Sequence, residues 1–338
     1  MVGVSAIVWP TGSTIAGAAA QTSSPRPRRR RRIPAGAAVQ ASLPGPSATH
    51  PLHPRTEQPP GDRPLSSAPA LASRPRRVYF FATCVVDMMA PQAGLDAIEL
   101  IRAAGIEVDF PPDQTCCGQP AYTSGYTEQA RQTARAQLDL FPEPWPIVLP
   151  SGSCAGMLVH HWPRLFADEP AQAARAREIA ARVVEWSHFA RDVLGLADPA
   201  GRPERAKAPT TPVKVALHTS CSARREMGCH LPHEALLRDL PGVELVQQAR
   251  VAECCGFGGT FSARHPAVSG AMVSDKLDSL RDSGADVVVS GDCGCLLNLH
   301  HAAEKRRAAG EALPRCTHLA SFLRERLGLG PAAQQVTD

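Results

Sequence analysis

No stretch of 18 or more apolar residues occurs in this 338-residue sequence, so nothing in it is long enough to cross a bilayer as a helix. A soluble protein without a membrane span is expected. Cysteine, at eleven residues, is too sparse for a disulfide scaffold, and an odd number cannot be fully paired within one chain. Metal or redox chemistry in a reducing compartment fits better. Also missing are a thioredoxin-type Cys-x-x-Cys, a flavin or nicotinamide fingerprint and a nucleophile elbow with its triad. What is present, 43% apolar and 20% charged residues, can build a sizeable core and two domains of ordinary size. That excludes a collagen-like, fully disordered or mini-protein reading.

The first 77 residues contain neither cysteine nor lysine. They carry 11 arginines against one Glu and one Asp, a charge of +9, so the net +4 leaves −5 for the other 261 residues. With 13 of the 32 prolines and the run Arg28–Arg32 set in Pro/Ala/Ser-rich sequence, residues 1–77 cannot bury enough surface to fold and are expected to be a disordered extension. A nucleic-acid arm and a targeting peptide are the functional alternatives. A secretory signal needs positive charge ahead of its apolar stretch, whereas here Lys and Arg are absent before Arg26 and Pro10, Gly12 and Ser13 interrupt the stretch. Neither nucleic acid nor membrane is expected as a partner.

From Val78 onward, short apolar runs alternate with helical patterns, the mark of an α/β fold. One long unit is written twice. In the first copy, strand VYFFAT leads into Cys84, a helix through Leu95, Ile98, Leu100 and Ile101 follows, then strand IEVDF and a loop with Cys116, Cys117 and Gly118. The second has VKVALHTS leading into Cys221, a helix through Leu236 and Leu237, strand VELVQ and a loop with Cys254, Cys255 and Gly256. A further strand-to-cysteine step ends at Cys154 in one copy and Cys295 in the other, and each closes on a similar helix after His188 or His318. The intervals agree: 31 residues between Cys84 and Cys116 against 32 between Cys221 and Cys254, then 36 against 39 to the last cysteine. The expectation is two pseudo-symmetric, Rossmann-like α/β lobes, residues 78–208 and 209–330, joined by a linker around Pro199 to Pro212.

Ligands of open α/β sheets bind outside the carboxyl ends of the strands, where four of these cysteines fall. Glycine lets the Cys-Cys-Gly backbone come close or take positive φ. Three chemistries remain open for the gathered thiols. Structural zinc favours cysteines two to four residues apart, which adjacent cysteines suit poorly. Vicinal thiols more readily reach different irons of an iron–sulfur cluster, whose usual ligand is thiolate, although the spacing is not that of a bacterial ferredoxin. Thiol–disulfide exchange would strain a vicinal Cys-Cys bond.

The repeated pattern resembles the CCG cysteine-rich domain found in heterodisulfide reductase, in the iron–sulfur subunit of glycolate oxidase and in lactate-utilisation protein A. The stretches ATCVVDMMAPQAG, QTCCGQPAYTSGY, PSGSCAGMLVHH, ECCGFGGTFS and GDCGCLLNL resemble the lactate-utilisation protein A family over residues 78–328. That resemblance implies a cytoplasmic iron–sulfur protein, with clusters of the 4Fe-4S type, that passes electrons while L-lactate is oxidised to pyruvate. It would act as a non-autonomous oxidoreductase subunit beside two partner subunits, one with ferredoxin-like clusters. The implied ligands are Cys84, Cys116, Cys117 and Cys154 in the first lobe and Cys221, Cys254, Cys255 and Cys295 in the second. The fuller heterodisulfide reductase pattern has another cysteine three residues after the last; Met157 and Asn298 stand there, which argues against a five-thiolate cluster and against heterodisulfide reduction. The iron–sulfur subunit of a glycolate-oxidase-like or heterodisulfide-reductase-like oxidoreductase and a non-enzymatic zinc-stabilised interaction module are the rival readings.

Other residues carry weaker signals. Cys293 is an extra candidate ligand, while Cys229 and Cys316 have no counterpart in the first copy and read as structural. The pairs His160–His161 and His300–His301 read as helix surface. His218, Arg224 and Arg225 flank Cys221, where positive charge would stabilise an anionic cluster. Gly256, Gly258 and Gly259 lack the strand–helix context of a phosphate loop.

Overall fold

The computed structural model describes residues 74–202, 209 and 211–329. The extension expected over residues 1–77 lies outside the described residues except for its last four. Those four join the fold: Arg74 donates to the Ala104 carbonyl, and the first strand begins at Arg77, one residue before the expected start.

The first lobe runs β1 (Arg77–Phe80), α1 (Cys84–Met89), α2 (Pro91–Ala103), β2 (Glu107–Asp109), α3 (Gln119–Thr123), α4 (Thr127–Arg135), β3 (Ile147–Leu149), α5 (Gly152–Gly156), α6 (Trp162–Leu165), α7 (Pro170–Arg182), β4 (Val183–Glu185) and α8 (Trp186–Asp192). The second runs β5 (Val213–Leu217), α9 (Cys221–Glu226), α10 (His230–Arg238), β6 (Val243–Val246), α11 (Phe261–Arg264), α12 (Pro266–Asp282), β7 (Val287–Ser290), α13 (Cys293–Ala308), β8 (Arg315–His318) and α14 (Leu319–Arg326). Both sheets are wholly parallel, in the orders β2-β1-β3-β4 and β6-β5-β7-β8. The strand order reverses between β1 and β3, and between β5 and β7, and the crevice at such a switch point is where an open α/β sheet binds ligands. This is the α/β architecture of two similar lobes that the duplication predicts.

Strands of three to five residues suffice because both faces of each sheet are covered. Alternate residues point opposite ways, and the sequence uses both directions. Val78, Phe80, Val148 and Val184 of one sheet and Val215, Val287 and Val289 of the other enter a single inner core. Helices α2, α8, α10 and α14 fill it with Ile98, Ile101, Trp186, Phe189, Leu236, Leu237, Phe322 and Leu323. Tyr79, Phe81, Ile147 and Leu149 face an outer core under α4, α6 and α7, and Ala216 and Val288 face another under α12 and α13. The inner core thus belongs to both lobes.

The pairing of helices across it is isologous: α2 packs on α14 as α10 packs on α8, and α5 packs on α9 as α13 packs on α1. Arg324 of α14 adds a buried ion pair to Asp96 of α2 at 3.3 Å. One sequence alignment shifts. The similar-looking His188 and His318 are not equivalent, because β3 pairs Leu149 with Glu185 where β7 pairs Ser290 with His318. Glu185 and His318 each cap the following helix through the side chain. Strand β4 and its counterpart β8 were not read from the sequence, where only the helices that follow them stand out.

Candidate metal centre

Every one of the eight paired cysteines lies at a carboxyl end of its sheet. Cys84 and Cys221 open α1 and α9 just beyond β1 and β5; Cys154 and Cys295 sit in the first turns of α5 and α13 beyond β3 and β7. The Cys-Cys-Gly loops approach from the other side. Gly118 and Gly256 take φ of 85° and 81°, a conformation that turns each loop back toward the sheet edge. Their N–H groups meet Cys116 Sγ at 3.4 Å and Cys254 Sγ at 3.3 Å. The same glycines let a helix pass close, since a Cβ would stand 3.1 Å from the Ala130 carbonyl in one lobe and 2.8 Å from the Ser269 carbonyl in the other.

In the first lobe Cys84 Sγ lies 3.5 Å from Cys116 Sγ, and Cys117 Sγ lies 3.4 Å from Cys154 Sγ. All eight are free thiols. Sulfurs this close cannot all ionise unaided. Hydrogen bonds from Cys117 and Cys84, with help from the Gly118 N–H, pull Cys116 down to about 3, whereas its proximity, followed by burial in the case of Cys84 and by Cys154 in the case of Cys117, drives those two far above the ordinary thiol range. Cys221 is likewise raised, by Cys254 first and burial second. A positive centre among the sulfurs would let all of them exist as thiolates, so the donor set fits a metal or an iron–sulfur cluster.

The two quartets face each other. One cavity of about 550 Å³ lies between the lobes, and all of the eight thiols except Cys116 line it. Its floor is tied by Asp292, a buried carboxylate that accepts from Ser151 Oγ (2.9 Å), Ser153 N (3.0 Å) and Ser153 Oγ (2.7 Å) of the first lobe and from Ser220 Oγ (2.8 Å) of its own. Ser151 and Ser220 also cap α5 and α9. At the rim, the Ser124 and Thr260 hydroxyls hydrogen-bond across the lobes. Sequence reading missed Asp292 and its serines. Their only signal was a small hydroxyl or acidic residue one to three places before each strand-end cysteine.

His218 corrects an expectation. It is fully buried, and burial, then Lys276 and Arg224, lower its pKa to about 3, so it brings no positive charge. It occupies in the second lobe the place of Phe81 in the first, each donating its N–H to the neighbouring strand. Neither ring nitrogen has a partner among the described residues, and a ring nitrogen lies within 4.8 Å of the Cys255 and Cys295 sulfurs. The second quartet is therefore chemically distinct from the first. Arg225 does supply charge, as it lowers Cys221 against the larger upward pressures.

The remaining candidates separate. Cys293 lines the cavity but packs against Val86 and Ala93 of the other lobe. Met157 is buried within a π-helical turn between α5 and α6, and Asn298 donates to the Cys255 carbonyl at 2.8 Å, as Trp162 does to that of Cys117 at 2.9 Å. The first His pair is not simple surface: His160 meets the Glu226 carbonyl, and His161 the Glu226 carboxylate at 3.3 Å, across the lobes. His300 and His301 are exposed.

Comparison with known proteins agrees with this geometry. The family model for the cysteine-rich domain CCG matches residues 78–159 and 215–300, one match per lobe. Lactate utilization protein A of Macrococcus caseolyticus is 38% identical over 230 residues, 68% of this chain and 90% of that protein. The protein of the same name from Bacillus cytotoxicus is 38% identical over 250 residues, 74% of this chain and 99% of that one. The chain belongs to the lactate utilization protein A family. Within that family its two CCG domains are the two lobes, and their cysteines are the two quartets. A crystal structure of a hypothetical protein from Helicobacter pylori shares the fold, with a TM-score of 0.55 at 10% identity over 75% of this chain; the chain spans about half, 49%, of that structure.

Proposed function

We propose that this chain is the iron–sulfur electron-transfer subunit of a cytoplasmic complex that oxidises L-lactate to pyruvate. Cys84, Cys116, Cys117 and Cys154 would hold one cluster, and Cys221, Cys254, Cys255 and Cys295 a second. The observation that carries this reading is two quartets of free, crowded thiols facing one cavity. Four thiols per site match the four-cysteine ligation of a 4Fe-4S cluster, which supplies one-electron redox chemistry when bound.

Around each quartet the chain provides what such a centre needs. Backbone N–H groups of Gly118 and Gly256 are aimed at sulfur, which favours the thiolate and tunes a cluster's potential. Asp292 and its serines hold the cysteine-bearing helix starts of both lobes in one frame. The neutral His218 differentiates the second site. Oxidising lactate releases two electrons and two protons. Among the described residues, the cavity lining carries no His–carboxylate pair to take those protons, so lactate itself is assigned to one of two partner subunits, one of them bearing ferredoxin-like clusters. A cysteine count that is odd and too sparse for a disulfide scaffold accords with a reducing compartment.

The test is anaerobic addition of L-lactate to the complex assembled from this chain and its partners. Bleaching of the visible absorption, diminished with Cys84→Ser or Cys221→Ser at unchanged assembly, is the expected result. Undiminished bleaching in both variants would contradict the role assigned to this subunit.

A further inference from the structure

Away from the cysteine cavity, the interface between the lobes holds another set of metal-ligating side chains. Glu185 ends β4, His188 lies in the first turn of α8, and Cys229 stands just before α10. All three are buried, and one donor atom from each lies within 4.8 Å of the others. The sequence pattern marks Cys229 only as structural and gives Glu185 no role.

Glu185 and His188 each have one atom committed and one to spare. Glu185 accepts the N–H groups of Ser187 (2.8 Å) and His188 through Oε2 as it caps α8, which leaves Oε1. His188 Nε2 lies 3.0 Å from the Met227 carbonyl, so Nε2 carries the proton and Nδ1 keeps its lone pair, with no partner among the described residues. His233, one turn into α10, is 1% exposed and likewise has no partner at either nitrogen. Two glycines keep the space clear: a Cβ at Gly291 would stand 2.6 Å from His233 Nε2 and 3.8 Å from Glu185 Oε1, and one at Gly152 would stand 2.9 Å from Cys229 Sγ.

We propose that Glu185, His188 and Cys229 bind a zinc ion that staples the two lobes together, with the fourth tetrahedral position left to a water. One sulfur, imidazole nitrogen and a carboxylate oxygen form a set that zinc accepts and that the oxygen-seeking Mg²⁺ and Ca²⁺ do not. Thiolate and carboxylate together offset the ion's +2 charge, so the buried site becomes neutral. Ligand atoms around tetrahedral zinc stand roughly 3.3–3.8 Å apart, which the present cluster reaches by closing about 1 Å. The Met227 carbonyl on His188 and the Ser187 groups on Glu185 are the outer partners that orient such ligands. A thiol-to-carboxylate hydrogen bond alone would leave His188 Nδ1 orphaned in the interior, and buried polar groups are seldom left so.

Zinc and iron are counted separately, so this proposal and the cluster reading fail independently. The full chain, prepared anaerobically with stoichiometric Zn²⁺ supplied, is analysed for metals and by X-ray absorption at the zinc edge. The expected result is about one zinc per chain with one sulfur among nitrogen and oxygen neighbours, and at least a tenfold loss of zinc in Cys229→Ser with iron unchanged. Should Cys229→Ser not fold, Glu185→Gln, which keeps an acceptor for the helix cap, gives the same readout. No zinc, zinc in an all-sulfur shell, or zinc fully retained in the variant that folds would overturn the proposal.

Discussion

Gly256 shows how much one residue can decide. Its φ of 81° costs an L-residue about 1–2 kcal/mol, and its missing Cβ leaves room for the Ser269 carbonyl at 2.8 Å. Gly284 has a similar φ of 70° but nothing within 4 Å of a built Cβ. Gly256→Ala is therefore expected to lower the urea midpoint clearly more than Gly284→Ala, because only the first must also move helix α12. Equal shifts would mean the close approach is unimportant. The cysteines and the glycines of the two Cys-Cys-Gly loops, Gly118 and Gly256, were legible in the sequence because their chemistry and spacing are repeated. His218 was misread, since a charge assigned from residue type depends on solvent, and its complete burial comes from strand packing that no local pattern encodes.

At the scale of elements, the alternating strand residues and the cysteines at strand ends made the two sheets readable. Strands β4 and β8 were not, because no cysteine marks their ends and they are fixed by pairing with β3 and β7. Their ends matter: His318 caps α14 through Nδ1 at 3.2 Å and meets the Pro150 carbonyl through Nε2 at 3.2 Å. Burial lowers its pKa, against the upward pull of the Gly291 and Pro150 backbone and of Asp292 and Asp96, so it folds neutral. An unfolded histidine takes a proton near pH 6.5, so this contribution is complete above that value and is lost as pH falls toward the folded pKa, by at most about 1.4 kcal/mol per unit. The stability gap between the protein and His318→Gln should accordingly narrow from pH 7.5 to 5.5 in urea titrations. A gap independent of pH would show that His318 does not titrate on unfolding.

For the molecule as a whole, the duplication predicted two lobes but not that they would share a core. Shape complementarity between inner helices is a long-range property, visible only once Phe322 and Trp186 are found in one cluster. Two consequences follow for stability. Arg324, 9% exposed at its side chain, pairs with Asp96 at 5%, so Arg324→Ala strands a buried carboxylate and is expected to cost about 3 kcal/mol. Removing Arg315 from its exposed pair with Glu325 should cost less than about 1 kcal/mol, and chemical denaturation compares the two. The first lobe expressed alone would expose the whole inner core and should not unfold cooperatively; a sharp transition from that fragment would refute the shared core.

Iron, acid-labile sulfide and visible absorption of the anaerobically prepared full chain bear most directly on the central claim that the facing cysteine quartets are cluster sites. Near-equal iron and sulfide with broad visible absorption is the predicted result, each falling by about half in Cys116→Ser and in Cys254→Ser and by nearly all in the double variant. Thiolate-bound zinc without sulfide, or no iron after reconstitution, would contradict it.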